Sequence, residues 1–193
     1  MNKAFAWGGI AASTIMILFG VGSIAAGALG INEVRDDLAR EHITATPDAS
    51  EIAGVDLAPG QSVDTGQEAK EFAKIMRHHT LEATQGLTYA DMGRFQSADD
   101  PSDPRGTNDE AAAAKDAQGN PVPNAQRDIW VTETALTTAL NTSFMAEAVG
   151  VFAMVMGVAL VLIGIGFLVL TLGARRTEPV VAPERAPAPA PAP

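Results

Sequence analysis

The stretch Val158-Ala159-Leu160-Val161-Leu162-Ile163-Gly164-Ile165-Gly166-Phe167-Leu168-Val169-Leu170 carries neither a charge nor a strongly polar side chain. It is the centre of an uncharged run from Ala148 to Ala174. At the helical rise of 1.5 Å per residue that run covers roughly 40 Å, more than the ~30 Å hydrocarbon core of a bilayer. A helix apolar on every face over such a length has no polar side to offer water, so it predicts a membrane span. A second uncharged run, Ala4 to Ile31, gives the same reading near the other end of the chain.

Two spans place both termini on one side, and the basic residues say which. Lys3 precedes the first run, and Arg175 and Arg176 follow the second. The positive flanks predict cytoplasmic termini. Between Ile31 and Glu147 stand 21 acidic and 9 basic residues, a net charge of about −12, as expected of a translocated segment. That balance excludes nucleic-acid binding, for which no basic patch is available. The chain therefore divides into a cytoplasmic start (1–3), a first span (4–31), an acidic extracytoplasmic domain (32–143), a second span (144–174) and a Pro/Ala-rich cytoplasmic tail (175–193) read as disordered polyproline. Ala26-Gly27-Ala28 resembles a signal-peptidase site. However, helical spacing continues through it to Ile31, Val34 and Leu38, which favours an uncleaved span. Without cysteine, no disulfide framework supports the outer domain.

Ile129, Leu136, Leu140 and Phe144 extend the second helix backwards at helical spacing, with a start near Asn124. The two extensions suggest an antiparallel stalk. Residues 67–85 predict an amphipathic helix capped by Thr65, carrying Phe72, Ile75, Met76 and Leu81 and closed by Gly86. Residues 45–66 and 97–125, rich in Asp, Pro, Gly and Ala, read as loops unable to build a core. The fold class is mainly α, an antiparallel two-helix transmembrane hairpin with helical extensions and a small loop-rich outer domain.

Small residues recur every seven positions in both spans: Ala6, Ser13, Gly20 and Gly27 in the first, Gly150, Gly157 and Gly164 in the second, with Gly166 and Gly173 as a parallel set. In lipid, such faces let backbones approach closely, and a seven-residue period implies left-handed crossing. Gly157→Leu is expected to disrupt packing where Val161→Leu does not. No ionisable residue lies inside either span, which argues against a transporter or pump; Glu147, at the outer edge, is expected to be solvated or to snorkel to water.

One cluster has the look of chemistry. His78 and Glu82 share a helix face at i,i+4, and His79 and Glu82 are i,i+3 neighbours, two ligands of a metal site without a third. His42 would complete it only if the domain folded back. A surface ion pair is the simpler reading, so no metal, cofactor or catalytic residue is assigned.

The stretch His79-Thr80-Leu81-Glu82-Ala83-Thr84-Gln85-Gly86-Leu87-Thr88-Tyr89-Ala90-Asp91-Met92, between two membrane helices, resembles a family of small two-span actinobacterial membrane proteins. Their core runs His-x-Leu-Glu-Ala-Thr-x-Gly-x-Thr-Tyr-Ala-Glu. Many members carry the name aromatic ring-opening dioxygenase, a chemistry that needs two histidines and a carboxylate around iron. The resemblance also covers the spans and Ile43-Thr44; Gln85 and the insertion 97–125 depart from it. His79 and Glu82 match the core, but a metal role does not follow from the match. The expected function is that of a non-enzymatic plasma-membrane protein, self-associating or attached to a larger membrane complex. Its alternatives are an accessory subunit of a respiratory or cell-envelope complex, and a metal-binding outer enzyme domain.

Overall fold

The computed structural model describes residues 3–176, with side chains from Phe5 to Ala174. The expected Pro/Ala tail lies outside the described residues, except for the helical backbone of Arg175 and Arg176. The protein is mainly helical: α1 spans Lys3–Arg40, α2 Gly66–Ala83 and α3 Ala125–Arg176. Short 3-10 turns occupy Ala49–Glu51 and Tyr89–Asp91. Among the described residues only isolated β-bridges occur, with no strand. Phe5–Arg40 and Ala125–Ala174 are each long and apolar enough to cross a membrane. The described residues form two compact units, one of residues 3–25 with 154–176 and the other of residues 26–153.

In the first unit α1 and α3 run antiparallel, since rising numbers on one meet falling numbers on the other. Gly9 meets Thr171, Ser13 and Ile17 meet Gly164, and Gly20 meets Gly157 and Val161. The large apolar side chains point the other way. Phe5, Leu18, Phe19, Leu162, Phe167 and Leu170 are all exposed.

In the second unit the core gathers Leu38 of α1, Ala69, Ala73 and Ile75 of α2, and Leu140 of α3. Half of the buried core residues come from elsewhere: Ala45, Ala49, Ile52, Leu57 and Val63. This corrects the expectation that residues 45–66 cannot build a core. Their hydrophobes follow no helical or strand period because the chain is held by long-range backbone bonds. Ala45 N–H donates to the Gln61 carbonyl at 2.8 Å and Val63 N–H to that of Ile43 at 2.9 Å. These bonds turn an irregular set of side chains onto one surface.

Residues 97–125 are ordered differently. Gln96, Ala114 and Val122 exchange backbone bonds of 2.9 Å, and Ala113 is buried. Four aspartates, at 100, 103, 109 and 116, each accept the backbone N–H two residues ahead, the Asx-turn arrangement. They anchor turns while staying at the surface.

The sequence limits of α2 hold to within a residue or two. Thr65 and Glu68 form a reciprocal capping box at its start. At its end Gln85 and Gly86 take the left-handed conformation, with φ of 55° and 80°, and Gly86 N–H donates to the Leu81 carbonyl at 2.7 Å, a six-to-one closure that favours glycine. α3 begins after Asn124, whose side chain accepts from Gln126 N–H at 3.1 Å. The stalk expectation is only partly met in this unit. α1 and α3 approach where Gly150 meets Gly27 and Ile31. Further along, a groove of about 510 Å³ lies among Leu38, Phe72, Met76, Leu136 and Leu140.

Candidate functional site

The small residues fall into two classes. Ala6, Ser13, Gly20 and Gly27 of α1 are all buried, as are Gly150, Gly157 and Gly164 of α3. A Cβ placed on Gly20 would stand 2.6 Å from the Gly157 carbonyl oxygen, and one on Gly157 would stand 2.6 Å from that of Gly20. The backbones therefore touch where no side chain fits. Gly166 and Gly173 are not on this face. Both are exposed, with nothing within 4 Å of where a Cβ would stand.

Glu147 overturns the expectation that it is solvated. Its side chain is only 12% exposed. One oxygen accepts from the Arg35 guanidinium at 2.5 Å and the other from Gly66 N–H at 2.5 Å. A single carboxylate thus joins α1, the start of α2 and α3, and a carboxylate at a helix N-terminus is favoured by the helix dipole. The sequence offers one hint of this, an isolated acid bordering an apolar run beside a glycine-led helix.

Glu71 ties the irregular segment to α2. It is buried, accepts from Lys74 at 2.7 Å, and takes Asp56 N–H at 3.1 Å. Burial pushes its carboxyl up, but the hydrogen bonds of Lys74 and Asp56 outweigh that and hold it below its ordinary value.

The histidines do not converge. His79 Nε2 lies 2.6 Å from an Asp48 carboxylate oxygen, while His78 Nε2 faces Glu82 at 3.4 Å. The Thr46 hydroxyl beside Asp48 and the hydrogen bond from His79 hold that carboxyl down at about 2. His42 sits past the end of α1 with φ of 53°. Among the described residues no group of three or more His, Cys, Asp or Glu could hold a metal. The geometry of His79 and Asp48 is that of a clamp, pinning the 3-10 turn at Ala49 to α2.

Tyr89 is half exposed and lies under the Arg127 guanidinium, 4.0 Å from its ring centroid. Its neighbour Trp130 is buried and donates through Nε1 to the Leu87 carbonyl at 3.0 Å. Sequence spacing had singled out Ile129 and Leu136 on this helix, yet both are partly exposed, and Trp130 and Glu133 are the buried pair.

Fold and site define a mainly helical protein with two long apolar helices and a polar unit tied together by buried carboxylates. No protein-family model, curated protein or solved structure matches the chain.

Proposed function

We propose that this is a non-enzymatic, two-pass integral protein of the bacterial plasma membrane that holds its acidic central domain outside the bilayer as an interaction module. The observation that supports it most is the inversion of the first unit, with small residues between the helices and large apolar ones outside. In water such an exterior would be a large aggregation-prone surface, whereas in lipid it is ordinary. Lys3, Arg175 and Arg176 favour cytoplasmic termini.

The seven-residue faces are spent on pairing α1 with α3 of the same chain, so attachment to other proteins falls to the outer domain and to the exposed sides of the helices. The ion pairs of Glu147 and Asp48, and the hydrogen bond that Glu71 accepts from Asp56 N–H, join elements of the fold, which suits a structural module. Extraction of tagged native-level protein in mild detergent, followed by size analysis and mass spectrometry, tests this. Foreign subunits in fixed ratio would make it an accessory component, and a pure higher-order species a self-assembling one. A freely water-soluble monomer would overturn the membrane reading.

A further inference from the structure

The side of α2 away from the apolar groove borders a second groove, of about 340 Å³, whose opposite wall is α3. We propose that it binds an acidic saccharide, a sugar chain bearing carboxylate or phosphate groups. This goes beyond the anchoring role and does not depend on what the protein assembles with.

The α2 wall carries Lys70, Lys74 and Arg77, three of the 9 basic residues in an outer segment with 21 acidic ones. Lys74 is spent on Glu71 and the Gly54 carbonyl. Lys70, which attracts Glu71 only through space, and Arg77 are not bonded in this way. Among the described residues neither forms an ion pair or a hydrogen bond. Each is steadied by an aromatic ring instead, Lys70 at 4.4 Å from the Phe144 centroid and Arg77 at 5.2 Å from that of Trp130. Ring contacts fix the cations while leaving their N–H donors free, the state in which Lys and Arg take carboxylate or phosphate.

The α3 wall supplies the opposite chemistry. Glu133 is 5% exposed, yet its carboxylate accepts only the Thr134 hydroxyl, at 3.2 Å, and pairs with none of the groove's cations. Its other oxygen accepts from no protein group and is not enclosed, so it can take donors from a ligand in the groove. Thr137 and Asn141 follow it one and two turns along the same groove. Hydroxyl groups of a sugar satisfy such a wall, and its acidic substituents satisfy the other. Lys70 and Arg77 lie seven residues apart, roughly 10 Å along the helix, so an extended oligosaccharide reaches both where a lone anion reaches one.

The test uses full-length protein in phosphatidylcholine nanodiscs, titrated calorimetrically with trigalacturonate, neutral maltotriose and inorganic phosphate. Trigalacturonate is expected to bind, more weakly as salt rises, and maltotriose to bind at least tenfold more weakly. Lys70→Met and Arg77→Met remove the charge and its donors while keeping an unbranched side chain, and should each lower trigalacturonate affinity about tenfold, or 1.4 kcal/mol. Thr137→Val should weaken trigalacturonate without affecting phosphate. Equal binding of the two trisaccharides, no binding of trigalacturonate, or phosphate binding as tightly as it does would overturn the proposal on the wild-type protein alone. Unchanged affinity in both Met variants would overturn the placement.

Discussion

The Glu147 carboxylate and the Arg35 guanidinium meet at 2.5 Å across 112 residues of sequence. Arg35 is half exposed and can return to water when its partner is lost, whereas the Gly66 N–H on the other carboxylate oxygen would be stranded in a part-buried position. The cost of Glu147→Ala should therefore come mostly from the α2 end, about 2 kcal/mol. Glu147→Gln, which keeps an acceptor, should cost less. Denaturant midpoints read by Trp130 fluorescence in a Trp7→Phe background check the order; equal losses would mean that the charge rather than the amide bond matters.

Gly66 gives a prediction with a sign opposite to helix propensity. Alanine is a better helix former than glycine by about 1 kcal/mol. Here, though, a Cβ would stand 2.8 Å from the Phe144 Cα and 2.8 Å from a Glu147 carboxylate oxygen. Gly66→Ala should lower stability, and a rise in thermal midpoint would mean that α2 is not seated against α3 in this way.

In the apolar pair, Gly157→Leu should separate the helices. The control suggested by sequence, Val161→Leu, is unsuitable, because a Val161 methyl lies 2.8 Å from where a Gly20 Cβ would stand. Val155 is 61% exposed, so Val155→Leu is the harmless counterpart. Disulfide trapping between cysteines placed at Gly9 and Thr171 should fall sharply for Gly157→Leu and Val161→Leu only; loss in Val155→Leu as well would count against the packing face.

Acid should loosen the second unit. Asp48 is held at about 2 against an ordinary 3.8. A carboxyl lowered by folding contributes stability that is fully present above its unfolded value and lost as pH falls through the folded one. The loss through Asp48 should thus fall between pH 3.8 and about 2, with Glu71 acting in the same direction. Hydrogen exchange at Ala49 and Glu51 should rise over that interval, and Asp48→Asn should remove most of the pH dependence. An unchanged profile in that variant would dispose of the clamp.

What was legible in the sequence is what repeats. Uncharged runs, a seven-residue set of small residues and the Thr65 cap are local or periodic signals, and they place all three helices. Ile52, Leu57 and Val63 have no period, since their burial depends on bonds between residues 43–45 and 60–63 and on Glu71 reaching Asp56. Nor does the spacing of Gly166 and Gly173 distinguish them from Gly157 and Gly164; only the register between helices does. Glu147 was misjudged because its partners, Arg35 and Gly66, are distant in sequence.

The turn after α2 carries the last prediction. The Leu87 carbonyl is shared by Trp130 Nε1–H at 3.0 Å and the fully buried Thr84 hydroxyl at 2.7 Å. Trp130→Phe keeps most of the ring's bulk and Thr84→Val the shape of its side chain, so each mainly removes a donor, at about 1 kcal/mol. The Thr84 hydroxyl has one proton and also lies 2.8 Å from the Thr80 carbonyl, so it turns wholly to Leu87 when Trp130 is lost, and either donor alone still satisfies that carbonyl. With both gone it is left unpaired, and the double variant should lose more than the sum of the single losses. Simple additivity in chemical denaturation would show that water reaches Leu87, and that the α2 end is held by its backbone bonds.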